Sequence, residues 1–391
     1  MTVRYFYSTD TGAPTIDNQL GDLCNVLDAC LVTGFPTQAV ESITRSGSTA
    51  TVTITGHGYS NGQILSISGA DEDEYNGNFQ IFNVGTDTFD YTVTGTPSTP
   101  ANGSNILASN GKTALGWQLV FSATNKRVYR AREGNRMYLR VDHSVNTYHA
   151  RIRGFETMSD VDNGTGLFPT DAQLSGGLVM KSTENSGTNH PWMLIGDERM
   201  FYSHVQTHAT AAEHNTTYFG DVLSFKPVDP YAVLIAAHTT TGTSGSGDPF
   251  INLNTSLATT TAGHYMPRSH SGMGGSIQVS KMSDFNRHIS TALGNGTPGT
   301  NVLTYPCPVD GGLHLCRVFV NEPGSSGGLR GLLRGLWNVC HNKGSMTGVV
   351  DHDTFNGSGG LTGKTFEWRI FGQNNCCGAY EISDTWEPWP T

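Results

Sequence analysis

The chain has 391 residues and a formal net charge of −10, with 14% charged and 36% hydrophobic residues and 48 glycines. That length holds about two or three domains and a sizeable core. The acidic balance argues against wholesale phosphate binding, and the 14 Tyr, 17 Phe and 6 Trp argue against disorder.

Glycine, Ser, Thr and Asn in place of charges suit a mainly β (α+β) fold with many turns. Residues 3–8 read as a short strand, followed by the turn cluster Thr9-Asp10-Thr11-Gly12-Ala13-Pro14. A helix is predicted from about 17 to 32, because Leu20, Leu23, Cys24, Leu27, Cys30 and Leu31 recur at intervals of three and four. Asp17 is its expected N-cap, and Gly34 its stop before Pro36.

From 41 to 104 the texture changes. Strict alternation in Ala50-Thr51-Val52-Thr53-Ile54-Thr55 is followed by alternating segments at 63–68, 78–84 and 88–93, each bounded by Gly, Asn or Asp. Short strands so spaced predict a small all-β barrel or sandwich, inserted into a body made of 1–40 and 105–391. The tract Thr94-Gly95-Thr96-Pro97-Ser98-Thr99-Pro100 reads as a linker.

Several stretches of this segment carry a resemblance. Gly56-His57-Gly58-Tyr59, Ile67-Ser68-Gly69-Ala70, Tyr75-Asn76-Gly77-Asn78-Phe79 and Thr88-Phe89-Asp90-Tyr91 together resemble a recurrent β-module of phage tail and virion proteins. The module is of the FCCH type, similar in fold to a small β-domain of ubiquitin-activating enzymes. No adenylation or thioester chemistry is implied. In this context it implies a spacer or a surface decoration.

After the insert, Gly116-Trp117-Gln118-Leu119-Val120-Phe121 and Tyr138-Leu139-Arg140-Val141 read as strands, as do 193–201, 222–225, 232–237, 277–280, 314–320 and 365–371. The loop at 239–249 is nearly all Thr, Gly and Ser, and no repeat of fixed period is present. The body, through Val3-Arg4-Tyr5-Phe6-Tyr7, Trp192-Met193-Leu194-Ile195-Gly196-Asp197-Glu198-Arg199, Tyr218-Phe219-Gly220-Asp221 and Arg330-Gly331-Leu332-Leu333-Arg334-Gly335-Leu336-Trp337, resembles a family of tailed-bacteriophage virion structural proteins. The resemblance implies a place in the particle more than a mechanism.

Candidate chemistry is sparse. Gly324-Ser325-Ser326-Gly327-Gly328 matches a nucleophile elbow, and Asp351, His352 and Asp353 follow in hydrolase order. Without alternating βα units the match reads as a Gly-rich turn. His204, His208 and His214 cluster without the H-E-x-x-H pattern of a zinc helix. The acids Asp71, Glu72, Asp73 and Glu74 precede Tyr75 where a calcium loop needs an oxygen ligand, so an acidic hairpin loop is expected. Cys307, Cys316, Cys340, Cys376 and Cys377, with His314 and His341, lack the close pairs of a zinc knuckle and read as free thiols, or as disulfides formed after lysis. The basic stretch from Lys126 to Arg153 reads as strand faces that pair with acids.

The expectation is therefore a non-enzymatic virion component without catalytic residues, cofactor or metal. It would be a neck/collar or tail accessory protein that self-associates and docks to other virion proteins, with the aromatic stretch from Trp368 to Trp389 at subunit contacts. Capsid decoration is the alternative place. A tail-borne polysaccharide hydrolase would need paired carboxylates among Asp221, Glu322, Asp351 and Asp353. A receptor-binding protein would offer exposed Tyr59 and Tyr75 to host-surface glycan. Met1-Thr2-Val3-Arg4-Tyr5 lacks an apolar leader core, and no apolar run reaches the ~20 residues of a span. Synthesis in the host bacterial cytoplasm, no membrane contact and no direct nucleic-acid contact are expected.

Overall fold

The structure, a computed structural model, describes residues 2–182, 189–207, 214–241, 262–283, 304–323, 327–341, 351–371 and 376–389. It is mainly β, with a single α-helix near the N-terminus among the described residues.

The centre is a large curled sheet. Its main path runs through Arg4–Tyr7, Trp192–Gly196, Met200–Gln206, His214–Asp221, Val233–His238, Leu178–Lys181, His149–Phe155, Tyr138–Asp142, Lys126–Arg130 and Gln118–Ala123. Neighbours pair antiparallel, as in Tyr202↔Tyr218 and Phe219↔Ile235. Successive side chains in a strand point to opposite faces, and here both faces are covered. Leu194, Phe201, Phe219, Val233 and Ile235 face one core, with Leu23, Leu27 and Leu31 of the helical segment and Trp117. Met193, Ile195, Tyr202, Tyr218, Leu234 and Ala236 face the other, with Val318, Val320, Leu333, Leu336 and Tyr380 of a second sheet. That second sheet orders Ser280–Ser283, Leu315–Asn321, Leu329–Val339, Cys376–Glu381, Thr365–Phe371 and Thr354–Asn356.

The helix is shorter than its periodicity predicts. The α-helix spans Asp22–Leu27 and continues as a π-helical segment, Asp28–Thr33, ending at Gly34 with φ 71°. Asp17 does not cap it. The Asp22 carboxylate instead accepts N–H bonds from Asp17 at 3.0 Å and Gln19 at 2.8 Å, which holds residues 17–21 as a turn and leaves Leu20 exposed.

The inserted module folds as two small sheets around its own core, which includes Ile43, Val52, Leu65, Ile67, Tyr75, Phe89 and Tyr91. One sheet joins Ser42–Ser46, Thr49–Thr53 and Thr88–Thr92. The other joins Phe35–Ala39, Leu107–Lys112, Ile64–Ser68 and Gly77–Gln80. Two strands of this second sheet thus lie outside 41–104, and Ile106 and Ala108 enter the module's core.

Other segments differ from expectation. Residues 193–201 form a hairpin rather than one strand, because the Asp197 carboxylate accepts the N–H groups of Arg199 and Met200 and turns the chain. Leu329–Val339 is an 11-residue strand that carries the buried charges Arg330 and Arg334. Cys376 and Cys377 begin the strand Cys376–Glu381. Trp368, Trp386 and Trp389, expected at subunit contacts, are buried within this chain.

Candidate functional site

Glu322 and Asp229 come together around one guanidinium. Arg330 forks onto Asp229 with Nε–Oδ2 at 2.6 Å and Nη2–Oδ1 at 2.8 Å, and bonds Glu322 through Nη1. All three side chains are almost fully buried. His270, half exposed, places Nδ1 2.7 Å from the second Glu322 oxygen. A cavity of about 300 Å³ opens against them, lined by Glu322 and Arg330 themselves with Phe225, Lys226, His270 and Leu329. Hydrolysis of a glycosidic bond needs one carboxyl to donate a proton and another to face the sugar. Here both carboxylates are engaged by Arg330, and Glu322, which lines the cavity, also meets the His270 ring.

A second cluster joins the N-terminal strand to the second sheet. Glu367 and Arg369 lie two apart in the strand Thr365–Phe371 and so share a face. The Tyr7 hydroxyl donates to Glu367, His352 Nδ1 lies 3.1 Å from Glu367 Oε1, and Arg369 Nη1 lies 3.2 Å from Asp351 Oδ2. His214 Nε2 reaches the same Asp351 oxygen at 3.4 Å. His352 sits at φ 77°, a left-handed conformation costly for a non-glycine residue. Burial, reinforced by Glu367, pushes the Tyr7 hydroxyl far above its ordinary range, so it stays a neutral donor.

The remaining candidates are separated. His204 and His214 lie on adjacent strands with rings stacked at 4.7 Å, not on a helix, while His208 lies outside the described residues. Residues 324–326, which hold the serine of the elbow pattern, also lie outside them. Asp221 is buried beneath Asn135, whose N–H approaches both carboxylate oxygens, and burial pushes its carboxyl up to about 7. Asp353 is exposed, and its carbonyl receives the Trp368 N–H. In the acidic loop, Glu72 binds Asn102 and Asp73 binds Arg132 at 3.1 Å, so both act as ties. Tyr59 and Tyr75, expected to be exposed, are buried in the module's core. In the basic stretch Arg127 meets Asp28 at 2.8 Å, Lys126 meets Asp162 at 2.9 Å, and Arg153 meets Asp171.

Sequence reading passed over Asp229, Arg330, Arg334, Glu367 and Arg369. The available signal was local. Thr365-Phe366-Glu367-Trp368-Arg369-Ile370-Phe371 alternates charge with large apolar residues, which places Glu367 and Arg369 on one face of a strand.

The last cluster is the loop that carries Cys307, Asp310 and His314. Gly311 N–H bonds the Cys307 carbonyl at 2.7 Å, and Gly312 N–H bonds the Asp310 carboxylate at 2.9 Å. Gly311, at φ 70°, supplies the left-handed turn this closure needs. Sulfur, carboxylate oxygen and imidazole nitrogen of the three residues all lie within 4.8 Å of one another.

No family model matches the sequence, and no curated protein matches it. Among solved structures, Phage phi92 endosialidase aligns over 91% of this chain at 9% identity and a TM-score of 0.17. The chain spans about half, 53%, of that protein's length. So loose a superposition fixes neither fold nor function.

Proposed function

We propose that this chain is a non-enzymatic structural component of a tailed-phage virion, a neck/collar or tail accessory protein that self-associates and docks to other virion proteins. The observation that carries this reading is how the buried charges are used. Asp197–Arg334 and Asp229–Arg330–Glu322 clamp segments far apart in sequence, and the Glu367–Arg369–Asp351 cluster reaches distant Tyr7 and His214. Breaking such a buried pair costs several kcal/mol, about 3–5, so the clamps resist partial opening of the body. The module's signature residues are likewise turned to its own structure. His57 stacks on Tyr59 at 4.9 Å, and the Asn76 side chain bonds both N–H and carbonyl of Ala70. The sequence resemblance to virion proteins supplies the setting. Among the described residues no helix is long and apolar enough to cross a membrane.

A copy count by mass spectrometry on purified virions tests the reading. About a dozen copies are expected for a ring at the neck, and hundreds would move the protein to the capsid surface. Absence from the particle, or polysaccharide-degrading activity of the purified chain well above background, would overturn it.

A further inference from the structure

We propose that Cys307, Asp310 and His314 form a zinc site with three protein ligands and a fourth position open to solvent. This departs from the sequence expectation, which looked for paired cysteines and passed over an aspartate ligand between a cysteine and a histidine. The spacing Cys-x2-Asp-x3-His places all three on one closed loop.

The distances suit a tetrahedral ion. Zinc bonds of about 2.0–2.1 Å to nitrogen and oxygen set an N···O edge of about 3.3 Å. His314 Nε2 already lies 3.3 Å from Asp310 Oδ1 and 3.2 Å from Oδ2. An exposed His–Asp pair four residues apart is ordinary by itself. What distinguishes this one is the Cys307 thiol, buried beneath the loop with its sulfur within 4.8 Å of the same carboxylate. Thiolate and carboxylate would together balance the charge of a divalent ion. Sulfur with imidazole nitrogen favours zinc over calcium or magnesium, which prefer all-oxygen sites.

The loop is held ready for such an ion. His341 Nε2 accepts the His314 N–H at 2.8 Å, and its Nδ1 faces the Thr304 carbonyl at 3.1 Å. One imidazole therefore ties both ends of the loop, and its ring stacks on His314 at 5.6 Å. Cys340 N–H bonds the His314 carbonyl at 2.9 Å and fixes that end to the long strand. Asp310 and His314 are half exposed, with side-chain exposures of 52% and 41%, so the fourth position faces water or a docked partner.

The site does not depend on the assembly reading and is tested separately. Full-length protein, stripped with chelator, is titrated with cobalt(II) and then zinc(II). One cobalt per chain is expected, with a thiolate-to-cobalt charge-transfer band that zinc abolishes. The band should vanish in Cys307→Ser and persist in Cys316→Ser. A second measurement needs no variant. Alkylation of Cys307 in the native chain, followed by peptide mass spectrometry, should slow at least ~10-fold when zinc is added, since the metal-bound thiolate is withdrawn from reaction. No charge-transfer band, a band that survives Cys307→Ser, or an unchanged alkylation rate overturns the proposal.

Discussion

His143 is buried against the start of the helix, where its Nδ1 accepts N–H bonds from Gly21 at 3.0 Å and Leu23 at 3.3 Å. Its Nε2 faces the Thr147 carbonyl at 3.4 Å. Only the neutral ring can accept at Nδ1, and burial pushes its pKa down from 6.5 to about 4. Between those values the unfolded chain binds a proton that the folded chain does not. Stability is therefore complete above 6.5 and falls as pH falls toward 4. The full loss is on the order of 3 kcal/mol. His143→Ala should cost about 1–2 kcal/mol near neutral pH, the usual size of a lost helix cap. The gap between wild type and variant should then close and reverse as the medium is acidified toward 4. Urea unfolding across this pH range checks it, and a gap that does not change with pH would show that the ring is not a neutral acceptor.

The C-terminal segment shows how one element is locked by several weak features. Arg334 pairs with Asp197 and donates Nε to the Glu387 carbonyl at 2.6 Å, while its guanidinium lies 4.2 Å from the Trp389 ring centre. Trp389 Nε1 bonds Asp197 at 3.0 Å, and Trp386 Nε1 bonds the Glu381 carbonyl at 2.7 Å. Gly335, at φ 70°, lets the long strand pass beneath Trp386, where an added Cβ would clash with the indole. These contacts predict that Trp386→Ala lowers stability by about 3–5 kcal/mol, as for other large-to-small changes in a core. Thermal unfolding and proteolysis of the C-terminus measure it. A near-neutral variant would return these tryptophans to the role of an intersubunit surface.

At the scale of the whole molecule, the module and the body share a boundary made of strands. Ser66, Ile67 and Ser68 pair with Ser109, Ala108 and Leu107, so residues 41–104 alone leave this edge open and lose Ile106 and Ala108 from the core. A fragment of residues 35–112 should unfold in one cooperative transition. A fragment of 41–104 should be less stable by at least ~2 kcal/mol, the burial term of about one large apolar side chain. Denaturant titration followed by circular dichroism compares the two. Equal stability would assign the flanking strands to the body.

The local patterns of the chain determined much of this on their own. Alternation placed the module's strands within 41–104 and the strand Thr365–Phe371, and the run of Leu and Cys at three and four placed the buried face of the helical segment. Spacing could not set the helix start, because the Asp22 carboxylate that winds residues 17–21 into a turn competes with the helix through hydrogen bonds that no periodicity reveals. Nor could it read the long strand Leu329–Val339, since Arg330 and Arg334 look like solvent-facing residues until Asp229, Glu322 and Asp197 arrive from distant segments. The same reason separates the sites. Cys307, Asp310 and His314 are close in sequence, yet only the closed loop, tied at both ends by His341, brings their ligand atoms within reach of one ion. A residue's type and spacing reflect local conformation, whereas charge compensation is set by whichever partner the tertiary fold delivers.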